Sequence, residues 1–223
     1  MSNLVKEDSL YLSEENKIPN NTKSYLLAKR CIDIVGSICG LLLLSIIFII
    51  VAILIKIEDP KGKVFFKQVR IGKSGREFHI YKFRSMASDA EERLKELLAL
   101  NEVAGAMFKM KDDPRITKVG KFIRKTSIDE LPQLFNVLKG EMSLVGPRPP
   151  LPREVAEYSN YDKQRLLVVP GCTGLWQVSG RSNIGFSEMV ELDLRYIRER
   201  TIFFDIKIIL KTFLVLFGSK NAF

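Results

Sequence analysis

The apolar residues of this chain are concentrated in one uncharged run over residues 34–55, which is 22 residues long. A helix of that length can cross a bilayer. Basic side chains flank the run on both sides: Lys23, Lys29, Arg30, Lys56, Lys61, Lys63 and Lys67. Because positive flanks are typical of the cytoplasmic side, the pattern favours a helix that enters and leaves the membrane on one side. Ser45 can bend it by bonding to the preceding turn; a single-pass anchor is the alternative.

Two runs rich in β-branched and aromatic residues, 64–71 and 77–83, are separated by a short turn bounded by glycines. This pattern predicts a β-hairpin. Residues two apart on a strand point to the same side, so the hairpin presents Lys82 and Arg84 together. Such a pair of cations can bind a diphosphate, although a solvated sheet edge is equally consistent with it.

A helical pattern follows over residues 127–139. Ser127 is the predicted N-cap, Glu130 completes a capping box, and Gly140 is the predicted stop. The apolar positions at helical spacing are Leu131, Leu134, Phe135 and Leu138. The first turn would then carry Asp129 beside Glu130, where free N–H groups and the helix dipole keep carboxylates ionised and attract phosphate.

A run of cations stands just before these two acids, with no acid inside the run: Arg115, Lys118, Lys121, Arg124 and Lys125. Two carboxylates beside so many cations suit a site where a carboxylate approaches an anionic substrate with the help of a divalent metal. The alternative is an acid pair that only caps a solvated helix.

The residue patterns of two further segments predict helices that lie at a membrane surface. In residues 115–125 the cations alternate with apolar side chains, as in basic amphipathic helices on anionic lipid. Residues 203–217 are very apolar, but they carry Asp205, Lys207 and Lys211 and are too short to span. Residues 87–101 and 188–200 read as ordinary helices, whereas residues 1–22 read as a flexible polar leader.

Two loops carry further candidate binding residues. Prolines on both sides of Arg148 fix the backbone and would present this planar cation rigidly to a phosphate, unless the stretch is only a connector. Residues 170–181 are punctuated by glycines, which allow close approach to a ligand, and carry Trp176, Gln177 and Arg181. Trp176 could stack on a base or belong to the core.

Composition narrows the class of partner. The 223 residues suit one domain with an appendage, and the net charge of +9 favours phosphates, anionic lipid or nucleic acid as partners. The basic residues stand beside apolar ones and no nucleic-acid module is recognisable, so a membrane is favoured over nucleic acid. The odd count of 3 cysteines argues for reduced thiols facing a cytosol.

Several motifs in a fixed order carry a resemblance to a known family. They are Ala28-Lys-Arg-Cys-Ile-Asp33, Tyr81-Lys-Phe-Arg-Ser-Met86, Asp113-Pro-Arg115, Ser127-Ile-Asp-Glu-Leu-Pro-Gln-Leu134, Ser143-Leu-Val-Gly-Pro-Arg-Pro149 and Thr173-Gly-Leu-Trp-Gln-Val-Ser-Gly-Arg181. Over about residues 25–223 the chain resembles the bacterial sugar transferases, the monotopic phosphoglycosyl transferases that begin exopolysaccharide, capsule or O-antigen assembly.

The resemblance implies transfer of a sugar 1-phosphate from a UDP-sugar to undecaprenyl phosphate, with release of UMP. Asp129 would be the nucleophile that forms an aspartyl–phosphosugar intermediate, and Glu130 with Asp129 would hold Mg²⁺. The implied phosphate- and substrate-binding residues are Arg148, Arg124, Lys82, Arg84, Arg181, Trp176 and Gln177. The implied location is the cytoplasmic face of a bacterial inner membrane, with downstream glycosyltransferases as partners and a homo-oligomer as a possible assembly.

The implied fold is α+β and mostly helical. It would comprise the leader over residues 1–22, a re-entrant membrane helix over residues 23–58, and a cytosolic catalytic domain over residues 59–223 with a β-hairpin and interfacial amphipathic helices. One departure concerns the membrane helix, because Ser45 is followed by Ile46 where the family usually has proline. The competing functions are a membrane-bound phosphohydrolase and a membrane-tethered anion-binding protein.

Overall fold

The computed structural model describes residues 21–90, 92–93, 113–180 and 185–218. Its helices and strands are α1 Lys23–Leu43, α2 Ser45–Glu58, β1 Phe65–Ile71, β2 Glu77–Phe83, α3 Lys118–Lys125, α4 Gln133–Lys139, β3 Ser143–Val145, α5 Pro152–Ala156, α6 Asn160–Lys163, β4 Gly171–Thr173, α7 Phe186–Glu199 and α8 Ile202–Gly218. Described residues are mostly helical with two small sheets, in agreement with the predicted class. Most of the predicted leader, most of the helix predicted over 87–101, and Arg181 lie outside the described residues.

Helices α1 and α2 form an apolar pair bent by 59°. The break lies at Leu44, and the Ser45 hydroxyl donates a hydrogen bond to the carbonyl of Leu42 at 2.8 Å. Within the described parts of the chain, no single helix is long and apolar enough to cross a membrane, whereas the bent pair meets that length and composition together. The bend therefore lies at the predicted position, without a proline.

Packing on one side of α2 supports this bend. Val51 and Ile55 are buried in a cluster with Phe83 of the hairpin and Ile123 of α3. The opposite side of α2 is exposed and apolar, with Ile46, Ile49, Ile50, Ile53 and Ile57 at least half exposed. A serine hydroxyl deflects a helix only slightly, so contact with the hairpin and α3 supplies the rest of the support.

The beginning of α1 is bonded to the body of the protein. The Lys29 ammonium donates to the carboxylate of Asp205 on α8 at 2.8 Å. The Arg30 guanidinium donates to the carbonyls of Val137 and Leu138 at 2.6 and 2.7 Å. These carbonyls lie at the end of α4, where the helix dipole favours a cation.

Asp33 also bonds α1 to the body of the protein, and Glu58 bonds the end of α2 to it. The buried Asp33 carboxylate accepts hydrogen bonds from the Ser143 hydroxyl and the Leu144 N–H, both at 2.9 Å. At the other end of the helix pair, the Glu58 carboxylate accepts from the Lys118 N–H at 2.7 Å and so caps α3. Both ends of the bent pair thus contact the same body.

Strands β1 and β2 confirm the predicted hairpin. They pair antiparallel from Phe65 opposite Phe83 to Ile71 opposite Glu77. The turn Lys73–Gly75 contains Ser74 and Gly75 at positive φ. The hairpin carries Lys82 at its open end, close to the turn that holds the two acids.

The helix predicted from Ser127 is wrong in its first half. Ser127 is left-handed at φ 56° and makes no side-chain cap, so the predicted capping box is absent. Ile128–Glu130 forms a single 3₁₀ turn, and α4 begins only at Gln133. Pro132 has no N–H to continue an α-helical ladder, which separates the turn from α4. The predicted stop is confirmed, with Gly140 at φ 83°.

Two short parallel strands place the two predicted binding loops side by side. Ser143 lies opposite Gly171, and Val145 lies opposite Thr173. A Cβ on Gly171 would stand 2.0 Å from the amide nitrogen of Gly146, so this backbone approach requires glycine. Behind the strands, α7 and α8 confirm the two predicted C-terminal helices and bury Val145 in the main core.

Candidate active site

One cavity of about 1770 Å³ brings together the hairpin, the 3₁₀ turn and both loops. The predicted site residues that line it are Lys82, Arg84, Arg124, Asp129, Glu130, Arg148, Trp176 and Gln177. Arg181 lies outside the described residues. The wall also includes Ile32, Gly36 and Gly40 on one face of α1, so the cavity reaches from the acids to the apolar helix pair.

Asp129 is the buried member of the acid pair. Burial, followed by the negative charge of Glu130, raises the pKa of Asp129 to about 6, although the charges of Lys82 and Arg124 oppose the rise. The predicted stabilisation by a helix N-terminus does not act here, because Asp129 sits in a 3₁₀ turn away from the start of α4. A carboxyl with this pKa is ionised at neutral pH and is poorly shielded by solvent.

The pKa of Glu130 is shifted in the opposite direction, because this carboxylate is paired with a lysine. The Lys82 ammonium donates to its Oε1 at 2.6 Å. Burial alone would raise the pKa of Glu130, but the charge and hydrogen bond of Lys82, with Arg148 and Gln133, bring it below the usual value. The two neighbouring acids therefore have separated pKa values, as acid pairs with different roles do.

The other two predicted cations near the acids are held in different ways. The Arg124 Nε donates to the Ser85 hydroxyl at 2.8 Å, and its charge acts on Asp129. The Arg84 guanidinium is paired with Asp59 at the end of α2, with Nη1 and Oδ2 3.1 Å apart. Arg84 thus lines the cavity but fixes the end of the helix pair, whereas Arg124 faces the acids.

Arg148 is presented to the cavity as predicted. Its loop is fixed by the Ile71 N–H, which donates to the Pro150 carbonyl at 2.9 Å, and by the Gly171 N–H, which donates to the Pro147 carbonyl at 2.8 Å. Among the described residues, no hydrogen bond or ion pair engages the Arg148 guanidinium. A half-buried cation without a protein partner is suited to an anionic ligand.

Sequence reasoning missed Arg70, a buried arginine in the same cavity wall. Its Nη1 donates to the Pro149 carbonyl at 3.0 Å, and its Nη2 donates to Gln68 Oε1 at 2.8 Å. Two polar residues two apart on β1, Gln68 and Arg70, were the available signal, but alone they read as a solvated strand face. The burial of Arg70 depends on the loop around Pro149, which comes from a distant part of the chain.

Trp176 and Gln177 lie on a 3₁₀ turn after β4 and contribute polar atoms to the cavity wall. The Gln177 Nε2 donates to the Cys172 carbonyl at 3.3 Å. Within the described residues, the Trp176 Nε1 and the Gln177 Oε1 have no hydrogen-bond partner. Both residues therefore line the same cavity as the acid pair.

The acid pair fits one mode of Mg²⁺ binding. The described residues contain no cluster of three or more His, Cys, Asp or Glu side chains that could hold a metal alone. Mg²⁺ is commonly held by one or two carboxylates together with substrate phosphates. Asp129 and the Glu130 oxygen not bonded to Lys82 supply such a donor set at the cavity wall.

The chain is similar to known proteins over most of its length. The family model described as "Bacterial sugar transferase" matches residues 24–219. The chain belongs to the bacterial sugar transferase family. The predicted family is thereby confirmed.

Curated members of the bacterial sugar transferase family are similar over most of this chain. "Galactosyl transferase CpsE" of Streptococcus agalactiae is 56% identical over 88% of this chain and 44% of the relative. "Undecaprenyl-phosphate galactose phosphotransferase" of Salmonella typhimurium is 43% identical over 100% and 47%, respectively. "Exopolysaccharide production protein ExoY" of Rhizobium meliloti is 39% identical over 88% of both. The chain therefore spans about half the length of the first two relatives.

Proposed function

We propose that this chain transfers a sugar 1-phosphate from a UDP-sugar to undecaprenyl phosphate, at the start of exopolysaccharide or capsule assembly. The observation that carries the proposal is the Asp129–Glu130 pair in a cavity beside the unpaired Arg148. Relatives named as undecaprenyl-phosphate galactose and glucose phosphotransferases support the reaction class. Relatives with different sugars in their names leave the sugar to be determined by experiment.

The reaction proceeds in two displacements at one phosphorus atom. The Asp129 carboxylate attacks the sugar-bearing phosphorus, the bond from that phosphorus to the bridging oxygen breaks, and UMP leaves with the electron pair. A phosphate oxygen of undecaprenyl phosphate then attacks the same phosphorus and displaces Asp129 as a free carboxylate. Splitting a difficult transfer in this way is the ordinary use of a carboxylate nucleophile.

The surrounding residues position phosphates and balance their charge. Arg124 faces Asp129, Lys82 holds Glu130, and Arg148 remains available to a phosphate oxygen. Mg²⁺, held by Glu130 and Asp129, would neutralise phosphate charge. Phosphoryl transfer depends mainly on such positioning and charge balance, so these few groups are sufficient for the proposed chemistry.

We further infer that the α1–α2 pair enters the cytoplasmic leaflet and returns to the same side. Both ends of the pair contact the same body, through Arg30 and Asp33 at one end and Glu58 at the other. Between them, α2 exposes a continuous apolar face. Helix α8 also exposes apolar residues, such as Phe203 and Leu214, which suit an interfacial helix.

The proposed function is tested by separating the two half-reactions. With UDP-galactose or UDP-glucose and no lipid, labelled UMP is expected to exchange into the UDP-sugar, and a phosphosugar should add to the intact mass at Asp129. With undecaprenyl phosphate, UMP release should exceed one equivalent of enzyme. A phosphohydrolase would release many equivalents without lipid, and an anion-binding protein would release none. Exchange that strictly requires lipid would contradict the covalent step.

The activity should rise with pH across the pKa of Asp129. Because the nucleophile must be ionised, kcat/KM should increase about tenfold per pH unit below the pKa of about 6 and level off above it. Replacing Glu130 with glutamine removes the neighbouring negative charge that raises this pKa, so the midpoint should move to lower pH. UMP exchange at one fixed Mg²⁺ concentration measures both profiles. A midpoint that Glu130→Gln leaves unchanged, or shifts upward, would contradict the assignment.

A further inference from the structure

Arg70 is a buried cation whose charge the proposed mechanism has not used. Arg70 belongs to β1 and lines the cavity. The residue is only 6% exposed. Among the described residues no carboxylate lies within 4.0 Å of its guanidinium nitrogens. The charges of Glu154 and Glu130 act on Arg70 only at longer range. Of the surrounding charges, that of Arg148 acts on Arg70 most strongly. An arginine this buried is usually paired with an acid.

The hydrogen bonds of Arg70 leave part of its donor capacity unused. Its Nε and Nη2 donate to Gln68 Oε1, and its Nη1 donates to the Pro149 carbonyl. A guanidinium has five N–H donors, so one N–H on each terminal nitrogen remains without an acceptor among the described residues. Burying a charge without a counter-charge is costly, and an anion in the cavity would remove that cost.

We propose that Arg70 and Arg148 together form a binding site for one phosphate group, and that this site receives the phosphate of UMP and the phosphate of the lipid acceptor in turn. The proposal rests on the proposed function and adds to it a residue, Arg70, and the place of the second phosphate. Both arginines line the same cavity, both lack an acidic partner within the described residues, and the Pro149 carbonyl links Arg70 to the Arg148 loop.

The distribution of cations around the acids supports this division of the cavity. Lys82 acts on both acids, whereas Arg124 acts on Asp129, Arg148 acts on Glu130, and Glu130 in turn acts on Arg70. Arg124 is therefore suited to the phosphoryl group that is transferred to Asp129. Arg70 and Arg148, on the Glu130 side, are left for a second phosphate.

The chemistry of in-line displacement explains why one site would serve two phosphates. In the first step UMP leaves the phosphorus opposite Asp129, and in the second step the lipid phosphate attacks opposite Asp129. Both groups are phosphates that stand at the same position relative to the transferred phosphorus. A single pair of arginines there would bind each of them, one after the other, without rearrangement of the protein.

The test compares UMP with uridine, which differ by the phosphate group. In full-length enzyme shown first to transfer sugar 1-phosphate, UMP should bind more tightly than uridine in a calorimetric titration. Arg148→Gln and Arg70→Gln should each weaken UMP by about tenfold to 100-fold and leave uridine nearly unchanged. Arg153→Gln is the matched control, because Arg153 is a nearby exposed cation outside the cavity lining.

A double variant separates direct binding by Arg70 from positioning of the Arg148 loop. If Arg70 contacts the phosphate, Arg70→Gln should weaken UMP further in the Arg148→Gln background. No further loss there would overturn the assignment of Arg70, and unchanged UMP affinity in Arg148→Gln, which removes no bond within the described protein, would overturn the site.

The two half-reactions distinguish the two sources of phosphate. Arg148→Gln should raise the KM for UMP in the exchange reaction and the KM for undecaprenyl phosphate in discharge of the preformed intermediate. An increase in only one of them would overturn the shared site while leaving the proposed function intact. Wild-type enzyme without any transfer would instead refute the proposed function.

Discussion

Replacing Asp129 with asparagine is expected to abolish turnover. The amide keeps the size and shape of the carboxyl but cannot form the bond to phosphorus, so the loss should be at least about 4 kcal/mol of barrier, or on the order of 1,000-fold. Both UMP exchange and transfer to undecaprenyl phosphate should disappear, because both pass through Asp129 in the proposed mechanism. Each is measured as labelled product against time, with the intact mass confirming the absence of deamidated protein.

UMP binding is the control that tests whether the Asp129→Asn protein is folded. Removing one negative charge from the cavity should leave UMP binding intact or strengthen it, since Glu130 and Lys82 remain paired at 2.6 Å. Substantial exchange by an Asp129→Asn preparation that binds UMP normally and contains no aspartate at that position would exclude the covalent proposal. Glu130→Gln is the companion variant, and it should retain measurable exchange because the nucleophile is unchanged.

The elements predicted correctly from sequence are those whose signal is local. The hairpin follows from two β-rich runs around a glycine-bounded turn, and the register from Phe65–Phe83 to Ile71–Glu77 agrees with it. Helices α7 and α8 were also predictable, because each has its own apolar periodicity. Proline at both sides of Arg148 likewise predicted a fixed loop, since proline restricts the backbone wherever the chain goes.

The sequence identified Asp129 and Glu130 as candidate site residues, but it did not predict their backbone conformation. The serine, the acids and the apolar spacing matched a helix start, yet Ser127 adopts φ 56° and the turn Ile128–Glu130 is separate from α4. The electrostatics then follow tertiary neighbours, with Lys82 from the hairpin on Glu130 and burial on Asp129. Neither neighbour can be read from the local pattern.

Arg70 could not have been selected from sequence for the same reason. An arginine on a strand is usually solvated, and its burial arises only because the Pro149 carbonyl is brought to it from residues far along the chain. The bent helix pair is an intermediate case. The position of the bend followed from Ser45, but its 59° angle is supported by packing of Val51 and Ile55 on the hairpin and α3.

Helix α1 is expected to begin on the cytoplasmic side of the membrane. We expect a cysteine placed at the exposed Ser24 to be protected from an impermeant thiol reagent in intact cells and labelled after permeabilisation. Cys31, Cys39 and Cys172 are replaced first, because all are free thiols. Glu157→Cys, an exposed position on the proposed cytoplasmic body, is the matched control and should behave identically.

The physical reason is that a single crossing would break every bond that ties the start of α1 to the body. The hydrocarbon core is about 30 Å thick, so Ser24 on the far side would carry Lys29, Arg30 and Asp33 away with it. Asp205 would lose its 2.8 Å ion pair, and the carbonyls at the end of α4 would lose both Arg30 hydrogen bonds. Labelling of Ser24→Cys in intact cells with Glu157→Cys still protected would show that the helix crosses, in spite of these contacts.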